Sequence, residues 1–131
     1  MARYEHLKIY QVNYQLTCEV FKLTKRFSRE HKYTFGERLR NCALDLTMDI
    51  YQINNTQNKL IPLNNYLENL ARFNTLIRLA KDMLLISIDQ LSVVMEKSIE
   101  VGKMAEGWKD YCLKAVKKTG PECKTTTLQS A

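Results

Sequence analysis

"KYTFGERLRNCAL", residues 32–44, sets one glycine between cations and a glutamate and then enters an apolar series. Two readings compete for it: a loop that grips phosphate, or the start of a helix. A Walker loop requires G-x-x-x-x-G-K-[ST] and a dinucleotide loop three spaced glycines after a strand; neither pattern surrounds Gly36. Thr34 and Glu37 have instead the spacing of a capping box, in which the hydroxyl takes the N–H of Glu37 and the carboxylate that of Thr34. Behind them Leu39, Ala43, Leu46, Ile50 and Ile53 recur at helical spacing, with Arg38, Asn41, Asp45, Asp49 and Gln52 opposite. The stretch predicts a helix over about residues 35–55.

The same periodicity extends both ways. Upstream, Leu7, Tyr10, Tyr14, Thr17 and Phe21 form one line and Leu16, Val20, Leu23 and Phe27 another, predicting a helix with a broad buried stripe over about 5–28. Downstream, the asparagine-rich "NNTQNKLIPLNN" ends the second helix, and Pro62 suits the first turn of a third over about 62–86. Ser87 and Gln90 form another capping box, so a fourth helix over about 88–117 follows almost at once as an antiparallel neighbour. Leu91, Val94, Met95, Val101, Ala105, Trp108, Cys112 and Ala115 mark its inward side, and Gly102 and Gly107 within it call for a closely approaching helix. The expectation is all-α: one antiparallel up-down-up-down four-helix bundle over residues 1–118, with 119–131 a disordered tail.

The third helix changes character midway. Leu76, Ile77, Leu79, Ala80, Met83, Leu84 and Ile86 cover roughly half its circumference, wider than the roughly 100° of one core face. A thick part of the core or a second copy of the chain could cover the excess. A small bundle has one interior, which favours the second copy, with Leu76, Leu79, Met83 and Ile86 as the oligomer interface.

The chain has 131 residues, a length suited to one domain, and a net charge of +6. That charge is uneven: residues 1–40 hold 9 Lys+Arg against 4 Asp+Glu, 41–108 hold 6 against 8, and 109–131 hold 5 against 2. Basic ends favour a polyanionic partner, nucleic acid above all, although a solubilising surface would look the same. The candidates are Lys22, Lys25, Arg26, Arg29, Lys32, Arg38 and Arg40 in one cluster and Lys114, Lys117 and Lys118 in another. An up-down-up-down path puts the two clusters at opposite ends.

Other chemistry is sought without success. No apolar run approaches the roughly 20 residues of a membrane span. Cys18, Cys42, Cys112 and Cys123 have no CxxC spacing, which points to reduced thiols and a cytoplasmic setting. His6 and His31 lack paired-ligand spacing, and Asp45 and Asp49 lack the further ligands of a di-metal bundle, so no metal or cofactor is expected. No serine has a nucleophile-elbow context, and no enzyme is expected. Tyr33 and Phe35 could stack bases or pack over the bundle end, with packing favoured.

Three segments then resemble a family in its own order: "YQLTCEVFKLTKRFSREHKYTFGERLRNCALDL" (14–46), "LARFNTLIRLAKDMLLIS" (70–87) and "EVGKMAEGWKDY" (100–111). They are similar to the Avd-type four-helix bundle proteins, the accessory variability determinants of diversity-generating retroelements, over about residues 4–118. The "KYTFGERLRN" and "GKM..GW" blocks are the most specific parts. A sister family, encoded in intervening sequences of ribosomal RNA genes, carries a proline and an Ile-Ala-Glu-Gly pattern where this chain reads "LTMDIYQINN". A structural, RNA-associated role of that second type, outside any retroelement, is the alternative. The Avd resemblance implies a non-enzymatic homopentamer that binds a reverse transcriptase and contacts its template RNA or cDNA through basic residues during mutagenic retrohoming.

Overall fold

A computed structural model describes residues 7–119, with side chains described through Val116. Five helices run in order: α1 (Lys8–Lys25), α2 (Arg29–Lys32), α3 (Phe35–Asn55), α4 (Leu60–Asp82) and α5 (Ile88–Thr119). Among the described residues there is no strand. α1 packs on α3 and α5, and α4 packs on the same two, so the four long helices form an antiparallel square in chain order. The expected four-helix bundle is the architecture observed. The expected tail over 119–131 lies outside the described residues apart from Thr119, which ends α5.

The predicted stripes supply the core. Leu39, Ala43, Leu46, Ile50 and Ile53 of α3 are fully buried against Leu16 and Val20 of α1, Leu63, Tyr66, Phe73 and Ile77 of α4, and Val94, Val101 and Ala105 of α5. Burying such side chains stabilises by about 1.5–3 kcal/mol each, the main force holding the helices together. The stripe predicted for α1 was too broad, because Tyr14 is 55% exposed at the bundle surface.

Two sets of polar side chains bond one another across helices inside this core. Tyr66 Oη donates to Asn13 Oδ1 at 2.8 Å, and Asn13 Nδ2 donates to Thr47 Oγ1 at 3.0 Å, tying α4, α1 and α3 together. Ser98 Oγ of α5 donates to Asn74 Oδ1 of α4. Side-chain periodicity carries no signal for such pairs, and none was anticipated. Gly102 lies 3.3 Å, measured from an added Cβ, from Leu70 Cδ2, the close approach its sequence called for. No such neighbour lies within 4 Å of Gly107, so that expectation fails there.

Helix ends depart from the periodicity where backbone geometry intervenes. The first helix stops at Lys25 because the N–H groups of Arg26 and Phe27 turn to the carbonyls of Leu23 and Thr24, three residues back. Phe27 then points into the core and α2 begins separately. The Thr34–Glu37 capping box does not form. Thr34 Oγ1 donates to the Glu30 carbonyl at 2.8 Å, since α2 lies immediately upstream and offers it an acceptor first. The Ser87–Gln90 box does form: Ser87 N–H donates to Gln90 Oε1 at 2.8 Å and Gln90 N–H to Ser87 Oγ at 3.1 Å.

The third predicted helix ends at Asp82 rather than Ile86. Leu84 N–H donates to the Lys81 carbonyl at 3.0 Å and Leu85 N–H to that of Ala80 at 2.9 Å, the bond pair of a Schellman turn. At the other end of the bundle Lys59 Nζ donates to the carbonyls of Ile53, Asn54 and Thr56, satisfying the last turn of α3. Its ammonium also lies 6.0 Å from the centroid of the Trp108 ring.

Candidate nucleic-acid interface

Seven predicted cations come together at one end of the bundle, where α1 finishes, α2 caps it and α3 begins. Lys22 and Lys25 occupy the last turn of α1, where positive charge suits the helix dipole. Arg26 caps that helix, Arg29 and Lys32 lie on α2, and Arg38 and Arg40 on the first turns of α3. The short α2 is what folds the cations together, and it packs on α3 through Gly36. A Cβ at Gly36 would lie 3.0 Å from the His31 carbonyl oxygen and 3.2 Å from Phe27 Cδ2, so this glycine is needed for close packing.

The cations do not all stand alike. Arg40 is half-buried, and its Nη2 donates to the Lys32 carbonyl at 3.1 Å, fastening α2 to α3. Lys32 Nζ lies 5.9 Å from the centroid of the exposed Tyr33 ring. Phe35 packs on the core, so of the two candidate stacking residues only Tyr33 faces solvent. Lys22, Lys25, Arg26, Arg29 and Arg38 are exposed, and none of them forms an ion pair among the described residues. Residues 22–40 hold seven Lys+Arg against Glu30 and Glu37. Cations spaced within a Debye length of about 8 Å add their fields and attract a phosphate chain together.

The second cluster is far away. Lys114 is exposed on the distal part of α5, and Lys117 and Lys118 lie on the same helix with side chains outside the described set. α4, with its 23 residues, spans about 35 Å and separates the two ends. The opposite-end expectation is met within one subunit.

Of the interface candidates, Leu79 and Met83 are 43% and 39% exposed. Leu76 is half-buried against the core, and Ile86, only 6% exposed, belongs to the core itself. Ile86 therefore leaves the candidate interface: after the Schellman turn the chain re-enters the bundle at this residue.

The remaining reactive groups have structural partners. Asp49 accepts hydrogen bonds from Asn65 Nδ2 at 3.4 Å and Asn69 Nδ2 at 2.8 Å, holding α3 to α4. Burial, together with the nearby Asp45 and Asp49 carboxylates, pushes the Cys42 thiol up, which keeps it protonated and unreactive. Among the described residues no disulfide involves Cys18, Cys42 or Cys112, and no group of three His, Cys, Asp or Glu side chains could hold a metal ion. No described helix is long and apolar enough to cross a membrane. His6 lies outside the described residues, and His31 is half-buried within α2.

A sequence model of the bAvd-like family matches residues 7–112, which takes in α1, α2, α3 and α4, most of α5, and the basic end. The chain belongs to the bAvd-like family. No curated protein matches it. The family match begins at the first described residue and ends within α5, so the segment carrying Lys114, Lys117 and Lys118 falls beyond it. The basic end around α2 lies wholly inside the match.

Proposed function

We propose that this bAvd-like protein is a non-enzymatic accessory factor of a diversity-generating retroelement. It acts in the cytoplasm as a basic homo-oligomer that holds template RNA or cDNA against a reverse transcriptase. The observation that carries the reading is the end built by α1, α2 and α3, where Lys22, Lys25, Arg26, Arg29 and Arg38 are exposed without ion-pair partners among the described residues. Family membership supports the retroelement role. The partner enzyme performs the chemistry, and the accessory protein supplies phosphate contacts whose weak individual affinities multiply when several subunits engage one strand.

RNA binding measured across a salt series tests the nucleic-acid part. Affinity should fall steeply with salt, and the triple change Lys25→Gln, Arg26→Gln, Arg29→Gln should weaken binding and flatten the slope. Absence of binding at low salt would rule this part out. Self-association is proposed through exposed Leu79 and Met83, with a pentamer as the expected assembly. Leu79→Glu should lower the molar mass seen by light scattering while leaving helicity intact; a wild-type chain that is a monomer at working concentration refutes it.

A further inference from the structure

The asparagine-rich stretch "NNTQNKLIPLNN", residues 54–65, joins α3 to α4 beside an open cavity of about 380 Å³. Pockets that hold small organic groups span roughly 300–1,000 Å³, so the cavity has the size of one. Its walls come from both helices and from the connection between them: Asp49 from α3, Asn58 from the connection, and Ile61, Pro62 and Asn65 from the start of α4. Two polar groups in these walls work against folding. Asn58 Nδ2 is buried with no hydrogen-bond partner among the described residues. Asp49 is half-buried, and burial holds its carboxyl above the ordinary value, so its charge at neutral pH is carried at a cost in stability. Both groups are what a ligand in the cavity would use.

What the walls offer specifies the ligand. Among the described residues the lining has no Lys or Arg. Lys59, next to Asn58 in the chain, directs its ammonium to the carbonyls of Ile53, Asn54 and Thr56 at 3.0, 3.2 and 2.9 Å. An ammonium has three protons, so none is left for a phosphate, and an anion is a poor occupant. Asp49 is an acceptor. Asn69 Nδ2 holds its Oδ2 at 2.8 Å and Asn65 Nδ2 stands 3.4 Å from its Oδ1, while a carboxylate has about four lone-pair sites and so keeps room for two further donors. Asn58 Nδ2 supplies a donor to an acceptor seated in the cavity, reached by rotating the amide about its Cβ–Cγ bond. Ile61 and Pro62 give an apolar surface on which a flat ring can lie.

A flat group with two adjacent donors beside one acceptor matches this set. An arginine side chain has the donors but no acceptor, and would leave Asn58 unpaired. The pairing edge of uracil carries one N–H, and those of cytosine and adenine one amino group; guanine's carries N1–H and the N2 amino group next to the O6 carbonyl. We infer that this cavity binds the pairing edge of an unpaired guanine, with N1–H and N2–H donating to the Asp49 carboxylate and O6 accepting from Asn58 Nδ2. The inference rests on the nucleic-acid part of the proposed function, and a free guanine nucleotide offers the same edge. Arg38 of the basic end lies eleven residues before Asp49, three turns and about 16 Å away on the same face of α3, so a strand held at that end reaches the cavity.

The test titrates the full chain with single-stranded oligouridylate carrying, at one central position, guanine, hypoxanthine or uracil; hypoxanthine is guanine without the N2 amino group. The guanine strand should bind about tenfold more tightly than the hypoxanthine strand, the order of one bidentate base contact. Asp49→Asn should abolish that ratio while the chain stays folded, because it removes a charge that burial disfavours. Asn58→Ala should weaken the guanine and hypoxanthine strands alike relative to the uracil strand, and should melt no lower than wild type, since the amide hydrogen it removes has no partner in the chain. The triple change Lys25→Gln, Arg26→Gln, Arg29→Gln should weaken all three strands and keep the ratio. Equal binding of the three strands, with guanosine monophosphate not bound, overturns the pocket and leaves RNA binding by the basic end standing; a guanine preference that survives Asp49→Asn also overturns it. Guanosine monophosphate bound through Asp49, with no preference among strands, supports the pocket and assigns it to a free nucleotide. Binding of neither strands nor nucleotide overturns both the pocket and the nucleic-acid reading. Binding of arginine amide through Asp49 in place of guanosine monophosphate assigns the cavity to a side chain of a partner protein and overturns the inference.

Discussion

Tyr66 Oη donates to Asn13 Oδ1 at 2.8 Å, and both residues are fully buried where α1 meets α4 across the bundle. The amide of Asn13 is used at both ends, since its Nδ2 donates to Thr47. Burial pushes the Tyr66 hydroxyl well above the ordinary tyrosine range, with the Asp49 carboxylate adding to the effect, so it remains a neutral donor. Tyr66→Phe keeps the ring and leaves Asn13 Oδ1 buried without its donor. A destabilisation of about 1–3 kcal/mol is expected in denaturant unfolding, and a change near zero would show the bond to be redundant.

Gly36 should be intolerant of even one methyl group. Gly36→Ala places a Cβ 3.0 Å from the His31 carbonyl oxygen and 3.3 Å from Arg40 Nη1, and must push α2 off α3. The expected loss is about 1–3 kcal/mol in stability. RNA affinity should fall with it, because α2 carries Arg29 and Lys32; a variant with normal stability and affinity would refute the packing account.

Ser87 and Gln90 exchange both bonds of a capping box at the start of α5. Ser87→Ala removes an acceptor for the Gln90 N–H and should cost about 1 kcal/mol. Thr34→Ala, which removes no cap bond, should have a smaller effect on α3. Comparing the two in one unfolding series tests whether the same sequence pattern acts differently at the two sites.

Asp49 gives a pH-dependent signature. Burial holds its carboxyl above the ordinary value; the Asn69 hydrogen bond opposes this and Asp45 reinforces it. A carboxyl whose folded pKa is raised keeps its proton longer in the folded chain. Its stabilising contribution is present below the unfolded pKa and is lost as pH rises through the raised value. Asp49→Asn should therefore melt above wild type at neutral pH, with the difference closing as the pH falls toward about 4. A gap that widens on acidification would reverse the sign of the argument.

Two S/T-x-x-E/Q patterns in this chain had different fates, and the reason lies in what precedes each. Before Ser87 the chain makes a turn, so the hydroxyl and the amide have only each other and the backbone to bond. Before Thr34 stands α2, whose Glu30 carbonyl captures the hydroxyl. Periodicity could not foresee α2, because four residues carry too little pattern to distinguish a short helix from the end of a longer one. For the same reason the segment Met83–Ile86 read as more helix: it contains no glycine or proline, and the left-handed residue is a leucine. Arg40 shows the limit for the basic end. Its charge was visible, while its bond to the Lys32 carbonyl, which gives it a structural task, depends on where α2 packs.

What the sequence determined by itself was the bundle, its helix order and the concentration of cations at one end. Apolar spacing near 3.6 residues is a local property, and short connections leave consecutive helices no choice but to lie antiparallel. Only the tertiary structure decided which polar groups meet inside, and that Ile86 lies within the core while Leu84 points away from it. Those relations depend on helix register across the bundle and on one left-handed residue, and neither leaves a periodic trace in the chain.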